Sequence, residues 1–185
     1  MVYNETTGLW DIRNLSSGYT TNIIFGGSGY VPVPGDYDGD GISDLGIYRY
    51  ASGYWYARRL ADQQLAVFGG SYWAGPKLAM SGGFVSVAGD YDGDVKADGG
   101  IYQEATGLWI ILPSGSLTPS GYVPVSGVFG SPGFVPVPAD YTGEGMADAA
   151  VYDEVTGNWY IVAIDGTRVA WPVQHGGYGF TPVKP

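Results

Sequence analysis

Apolar and polar positions alternate along this chain in short runs, among them "YVPVP" from Tyr30, "LGIYRY" from Leu45 and "NWYIVA" from Asn158, and each run stops at Gly, Pro, Asp or Asn. A period of two sends successive side chains to opposite faces of a strand. No window carries the spacing of an amphipathic helix, so the pattern predicts short strands joined by many turns.

The runs recur. "YVPVPGDYDGDGISDLGIYRYASGYWYARRL" from Tyr30, "FVSVAGDYDGDVKADGGIYQEATGLWIILPS" from Phe84 and "FVPVPADYTGEGMADAAVYDEVTGNWYIVAI" from Phe134 align along their whole length. Four tryptophans (Trp10, Trp55, Trp109, Trp159) share one register and read as packing between units. Trp73 and Trp171 do not recur. The acidic loops number only three, and the termini account for the difference: "VYNETTGLWDI" at the start matches "VYDEVTGNWYI" from Val151, and "GFTPVKP" at the end matches "GFVPVPA" from Gly133. A fourth unit is split, with its first strand at the C-terminus.

Each unit reads as four strands; in the third they are expected at 134–138, 147–153, 158–163 and 168–174. Pro32 and Pro34, like Pro136 and Pro138, are two apart, so their missing N–H groups fall on one side of an edge strand. Four-stranded units recurring about every 50 residues predict an all-β chain, a β-propeller of antiparallel blades. The expected organisation is a single domain of four blades: 28–70, 82–131, 132–175, and a split blade made of 1–27 with 176–185, leaving an insertion at 71–81. The split blade would close the ring and cover a strand edge.

Composition narrows the function. There is no Cys, hence no disulfide and no Cys-based metal site. A net charge of −10 with eight scattered basic residues argues against a nucleic-acid partner. No apolar run reaches the roughly 20 residues of a membrane-spanning helix, and since the repeat sequence begins directly after Met1 no signal peptide is expected in it.

Eleven of the 18 acids lie in the three loops between the expected first and second strands. In the first, Asp36, Asp38, Asp40, the Ile42 carbonyl and Asp44 take alternate positions around Gly41. Hard oxygen donors at this density select calcium. Ile47 stands where an EF-hand has its bidentate Glu, and the flanks are strand-like, so this is not an EF-hand. The second loop offers Asp90, Asp92, Asp94, the Lys96 carbonyl and Asp98, with Val95 at the bend. The third has Asp140, Thr142, Glu144, the Met146 carbonyl and Asp148, with fewer charges, and is expected to bind more weakly or not at all. Two calcium sites are therefore expected, and the cations would relieve like-charge repulsion within each loop.

"DYDGDGISDLGIY" and "DYDGDVKADGGIY", followed by "TGLW" or "TGNW" and accompanied by "FGG" at 25–27 and 68–70, resemble the FG-GAP/VCBS repeat propellers of secreted and cell-surface proteins, which include the integrin α-chain head and lectins. The resemblance covers essentially the whole chain. It implies a structural calcium ion in each acidic loop, ligand binding on the opposite face, and a secreted or cell-surface location. The chain departs from that family in its third loop, its missing fourth loop and its low blade number.

Connections between units are five residues long from Phe25 to Tyr30, Phe129 to Phe134 and His175 to Phe180, but sixteen from Phe68 to Phe84. The longer one carries Tyr72, Trp73 and Lys77, and the neighbouring turns carry Tyr50 and Glu104. Aromatic rings beside carboxylates suit a sugar. These five residues are the expected ligand site on the face away from the calcium loops. No nucleophile and base are paired, and His175, the only histidine, replaces a repeated Phe, so no enzyme is expected. The expected function is a non-catalytic module binding carbohydrate or a protein surface, with homo-oligomers possible. The alternative is a purely structural module, half of a larger or dimeric propeller.

Overall fold

A computed structural model describes residues 1–51, 54–62, 65–66, 83–113 and 129–182. Among these residues the chain is all β, with no helix and four antiparallel sheets. The first sheet holds β1 (Val2–Asn4), β2 (Leu9–Arg13) and β3 (Thr20–Ile24). The second holds β4 (Tyr30–Pro32), β5 (Leu45–Arg49), β6 (Tyr54–Arg58) and β7 (Leu65–Ala66). The third holds β8 (Phe84–Ser86), β9 (Gly99–Gln103) and β10 (Leu108–Leu112), and the fourth β11 (Phe134–Pro136), β12 (Ala149–Asp153), β13 (Asn158–Val162) and β14 (Arg168–Gln174). Every sheet is a meander, and Pro32 and Pro136 sit on edge strands, where a missing N–H costs no ladder bond. The four expected strands of the third repeat are all present.

Local sequence explains the central hairpins. In "NETTG" the side chain of Asn4 accepts the N–H groups of Thr6 and Thr7, and Gly8 N–H bonds back to the Asn4 carbonyl at 2.8 Å. Asp153 repeats this in "DEVTG" toward Val155 and Thr156. The closing glycines Gly8, Gly107 and Gly157 have φ of 71 to 72° in the first two and 75° in the last. A Cβ at any of them would meet the backbone of Gly26, Gly130 or Gly176 at 2.7 Å or less. The turn glycine and the glycine after each strand-end aromatic are therefore one packing device. The repeated Trp completes it: the indole N–H of Trp10, Trp109 and Trp159 donates to the carbonyl of Phe25, Phe129 and His175 at 2.9, 3.1 and 3.1 Å. His175 takes part through its backbone carbonyl.

The sheets stack in chain order. Trp10 and Ile23 of the first meet Leu45 and Ile47 of the second; Tyr48 and Trp55 of the second meet Phe84, Ile101 and Ile110 of the third. Tyr102, Trp109 and Phe129 of the third meet Ala149 and Val151 of the fourth. Each junction thus presents a Trp-bearing face to the Ile- or Val-bearing face of the next sheet. Phe180, Thr181 and Pro182 lie in no strand, and β1 is an edge of its sheet.

Candidate functional site

The three acidic loops run from the end of each first strand to the start of the second, and an isolated bridge closes each at its base: Gly35 with Asp44, Gly89 with Asp98, Ala139 with Asp148. The first aspartate of each loop organises the turn. Asp36 accepts the N–H groups of Gly39 at 2.8 Å, Asp40 at 3.1 Å and Gly41 at 2.8 Å. Asp90 accepts those of Gly93 and Val95 at 2.7 and 2.8 Å, and Asp140 those of Gly143, Glu144 and Gly145.

Carboxylate oxygens of Asp36, Asp38 and Asp40 lie within 4.8 Å of one another, and so do those of Asp90, Asp92 and Asp94. Three acids this close repel unless a cation joins them. Burial and the neighbouring Asp94 carboxylate raise the Asp92 pKa. The donor set, all hard oxygen, fits calcium. The third loop forms no such triad among the described residues. Backbone N–H groups, led by that of Gly145, hold the Asp140 carboxyl below its usual range. The Ile42, Lys96 and Met146 positions lie in these loops, with Ile42 and Lys96 N–H bonded to Asp40 and Asp94.

Asp44, Asp98 and Asp148 close the same loops, at the bridge where each loop returns to its sheet. All three are buried. Asp44 accepts the N–H of Tyr37 at 3.3 Å and of Leu60 at 2.9 Å, tying the loop to the end of β6. Asp98 accepts Tyr91 N–H at 2.7 Å, and Asp148 accepts those of Tyr141 and Thr142. Burial, with Asp38 and Asp40 nearby, raises the Asp44 pKa. The tyrosines of "DYD" and "DYT" belong to this brace, which the spacing of the acids does not reveal: Tyr37, Tyr91 and Tyr141 donate to the carbonyls of Val33, Val87 and Val137 at 2.6, 2.6 and 2.8 Å. Their recurrence in all three loops was the available signal.

Charge around the two triads differs. Arg59 Nε lies 3.3 Å from Asp38, and its guanidinium also pairs with Asp62. The Lys96 side chain runs over Gly39, so it too lies on the first loop. At the equivalent place on the second loop Met146 covers Gly93, which adds no charge. The loops are also joined to one another: Ala97 N–H donates to the Asp36 carbonyl and Ala147 N–H to the Asp90 carbonyl, both at 2.6 Å.

At the other end of the strands, a groove of about 390 Å³ is lined by Glu5, Thr6, Ser28, Tyr30, Tyr50 and Phe84, among others. It brings Tyr50 to Glu5, across the first three sheets. Glu104 is exposed in the β9–β10 turn, its N–H bonded to the Gly83 carbonyl at 3.2 Å, and is not among the lining residues. Tyr72, Trp73 and Lys77 lie outside the described residues. Compared with family models, with curated proteins and with solved structures, the chain matches none.

Proposed function

We propose that the four sheets are blades of a β-propeller of the FG-GAP/VCBS type, that two of its loops bind calcium for stability, and that the module binds a carbohydrate or protein surface without catalysis. The observation that carries the metal assignment is the pair of aspartate triads, each converging within 4.8 Å. Calcium there would neutralise Asp36, Asp38 and Asp40 in one loop and Asp90, Asp92 and Asp94 in the other. The groove supports ligand binding at the far end of the strands, because Tyr50 and Glu5 both line it and an aromatic ring with a carboxylate suits a sugar.

The charge difference between the loops ranks the sites. Arg59 already pairs with Asp38 of the first triad, whereas Met146 lies over the turn of the second, so the second gains more from a cation. Ions bound only by the folded state stabilise it by mass action. Chelation is expected to lower the melting temperature, and Asp92→Asn to remove more of that calcium-dependent stabilisation than Asp38→Asn. An unchanged melt in excess chelator contradicts the metal assignment. Ligand binding is tested separately on a glycan array, with binding by the parent chain and its loss in a Tyr50→Ala variant that melts normally.

A further inference from the structure

Three junctions between neighbouring sheets are complete, and the matching surfaces of a fourth lie open at the two ends of the stack. On the fourth sheet, the face that carries Trp159 has no sheet against it among the described residues. Trp10, Trp55 and Trp109 are each at most 5% exposed, whereas Trp159 is only half-buried. Tyr141 is 37% exposed, against at most 5% for Tyr37 and Tyr91. Val173, which pairs with Trp159 as buried Ile23 pairs with Trp10, is 52% exposed.

The first sheet shows the complementary gap. Ile47, Ile101 and Val151 occupy one repeat position and are at most 3% exposed, each against the preceding sheet. Val2 holds that position in the first sheet and is 67% exposed. β1 also lacks the edge strand that β4, β8 and β11 supply to β5, β9 and β12.

The segment matching that strand stands ready beyond the fourth sheet. Phe180 N–H bonds to the Gly177 carbonyl at 3.0 Å, as Tyr30 N–H bonds to Gly27 and Phe134 N–H to Ser131 before β4 and β11. The turn is formed, yet Phe180 is 66% exposed. By the register of β11 on β12, Phe180 would face Asn4, Thr181 would face Tyr3 and Pro182 would face Val2.

We propose that this segment completes the first sheet of a second copy of the chain, head to tail, and that the Trp159 face of one copy covers the Val2 face of the other. Two observations favour a second copy over closure within one chain. The junctions of the second sheet with the third and of the third with the fourth share one contact, the 2.6 Å bonds from Ala97 to Asp36 and from Ala147 to Asp90. Four equal quarter-turns would have returned the fourth sheet to the first, and both end faces remain open. The Val2 face also carries Asp11 and Arg13 where the fourth sheet has Tyr160 and Val162, a polarity suited to an interface between separate chains. Two copies joined this way form a closed ring in which each first sheet gains the edge strand it lacks. Neither calcium nor a bound ligand enters this inference.

The chain has no cysteine, so a directed cross-link is clean. Directly opposed residues in an antiparallel pair have Cα atoms about 4.5–5.5 Å apart, within disulfide range. Mixing Val2→Cys chains with Pro182→Cys chains under mild oxidation is expected to give a mixed disulfide dimer, and the parent chain to sediment at twice its 19.6 kDa mass. The double variant should link between chains. A double variant that links only within one chain overturns the proposal in favour of self-closure. Failure of every combination to cross-link shows that the segment does not pair with β1, and also overturns it.

Discussion

At the scale of single residues, the bend of the acidic loop separates strain from chemistry. Gly41 and Gly145 take φ of 83 and 87°, and Val95, at the same place in the second loop, takes 70°. A β-branched residue there is strained, because the left-handed region costs about 1–2 kcal/mol for a residue with a Cβ. Val95→Gly would release that strain and give back about 0.5–1 kcal/mol through the greater freedom of the unfolded chain. The expected outcome is a gain of up to about 1 kcal/mol in urea unfolding of the calcium-free protein; a loss of stability contradicts the strained bend. The substitution of Val for Gly was legible in the sequence, as was the run of oxygen donors. What the spacing could not separate was the role of Asp44, Asp98 and Asp148. Their alternating position fits a ligand, and the fold adds a bracing role that spacing does not show: the chain turns back at the Gly35–Asp44 bridge, and buried Asp44 accepts the N–H groups of Tyr37 and Leu60.

At the scale of elements, the strands and their order within a unit were readable because alternation, turn glycines and edge prolines all agree. The reason for the repeated glycines was not, since it depends on two turns distant in sequence. Gly107 has φ of 71° and its absent Cβ would lie 2.4 Å from the Gly130 carbonyl oxygen. Gly166, in the β13–β14 turn, has φ of 88° and open space around it. Both alanine variants suffer the left-handed strain of about 1–2 kcal/mol, but only Gly107→Ala also forces two backbones apart. Gly107→Ala is expected to destabilise by at least about 1 kcal/mol more than Gly166→Ala, a margin that urea unfolding resolves. Equal losses would mean that the turn and the "FG" segment are not held together as the hydrogen bond from Trp109 to Phe129 implies.

At the scale of the whole molecule, repetition makes stability a sum of units and the contacts between neighbours. The third sheet is flanked on both sides by buried clusters, through Ile101 and Ile110 toward the second and through Tyr102 and Trp109 toward the fourth. The first sheet is held on one side only, by Trp10 and Ile23, and β14 is mostly exposed. Local opening should follow this arrangement, because amides exchange through the least costly opening that frees them. In hydrogen exchange at high dilution, β9 and β10, together with β5 and β6 of the likewise doubly flanked second sheet, are expected to be protected longest, and β1, β3 and β14 least. Raising the protein concentration should then slow exchange selectively in β1 and around Trp159, because a second copy would cover those surfaces and leave the interior junctions unchanged. Uniform exchange at every concentration would contradict the one-dimensional coupling of the sheets. Slow exchange in β1 even at high dilution would mean that the chain covers this edge itself. The open ends therefore mark where stability depends on concentration, while the interior junctions set the stability that each chain carries alone.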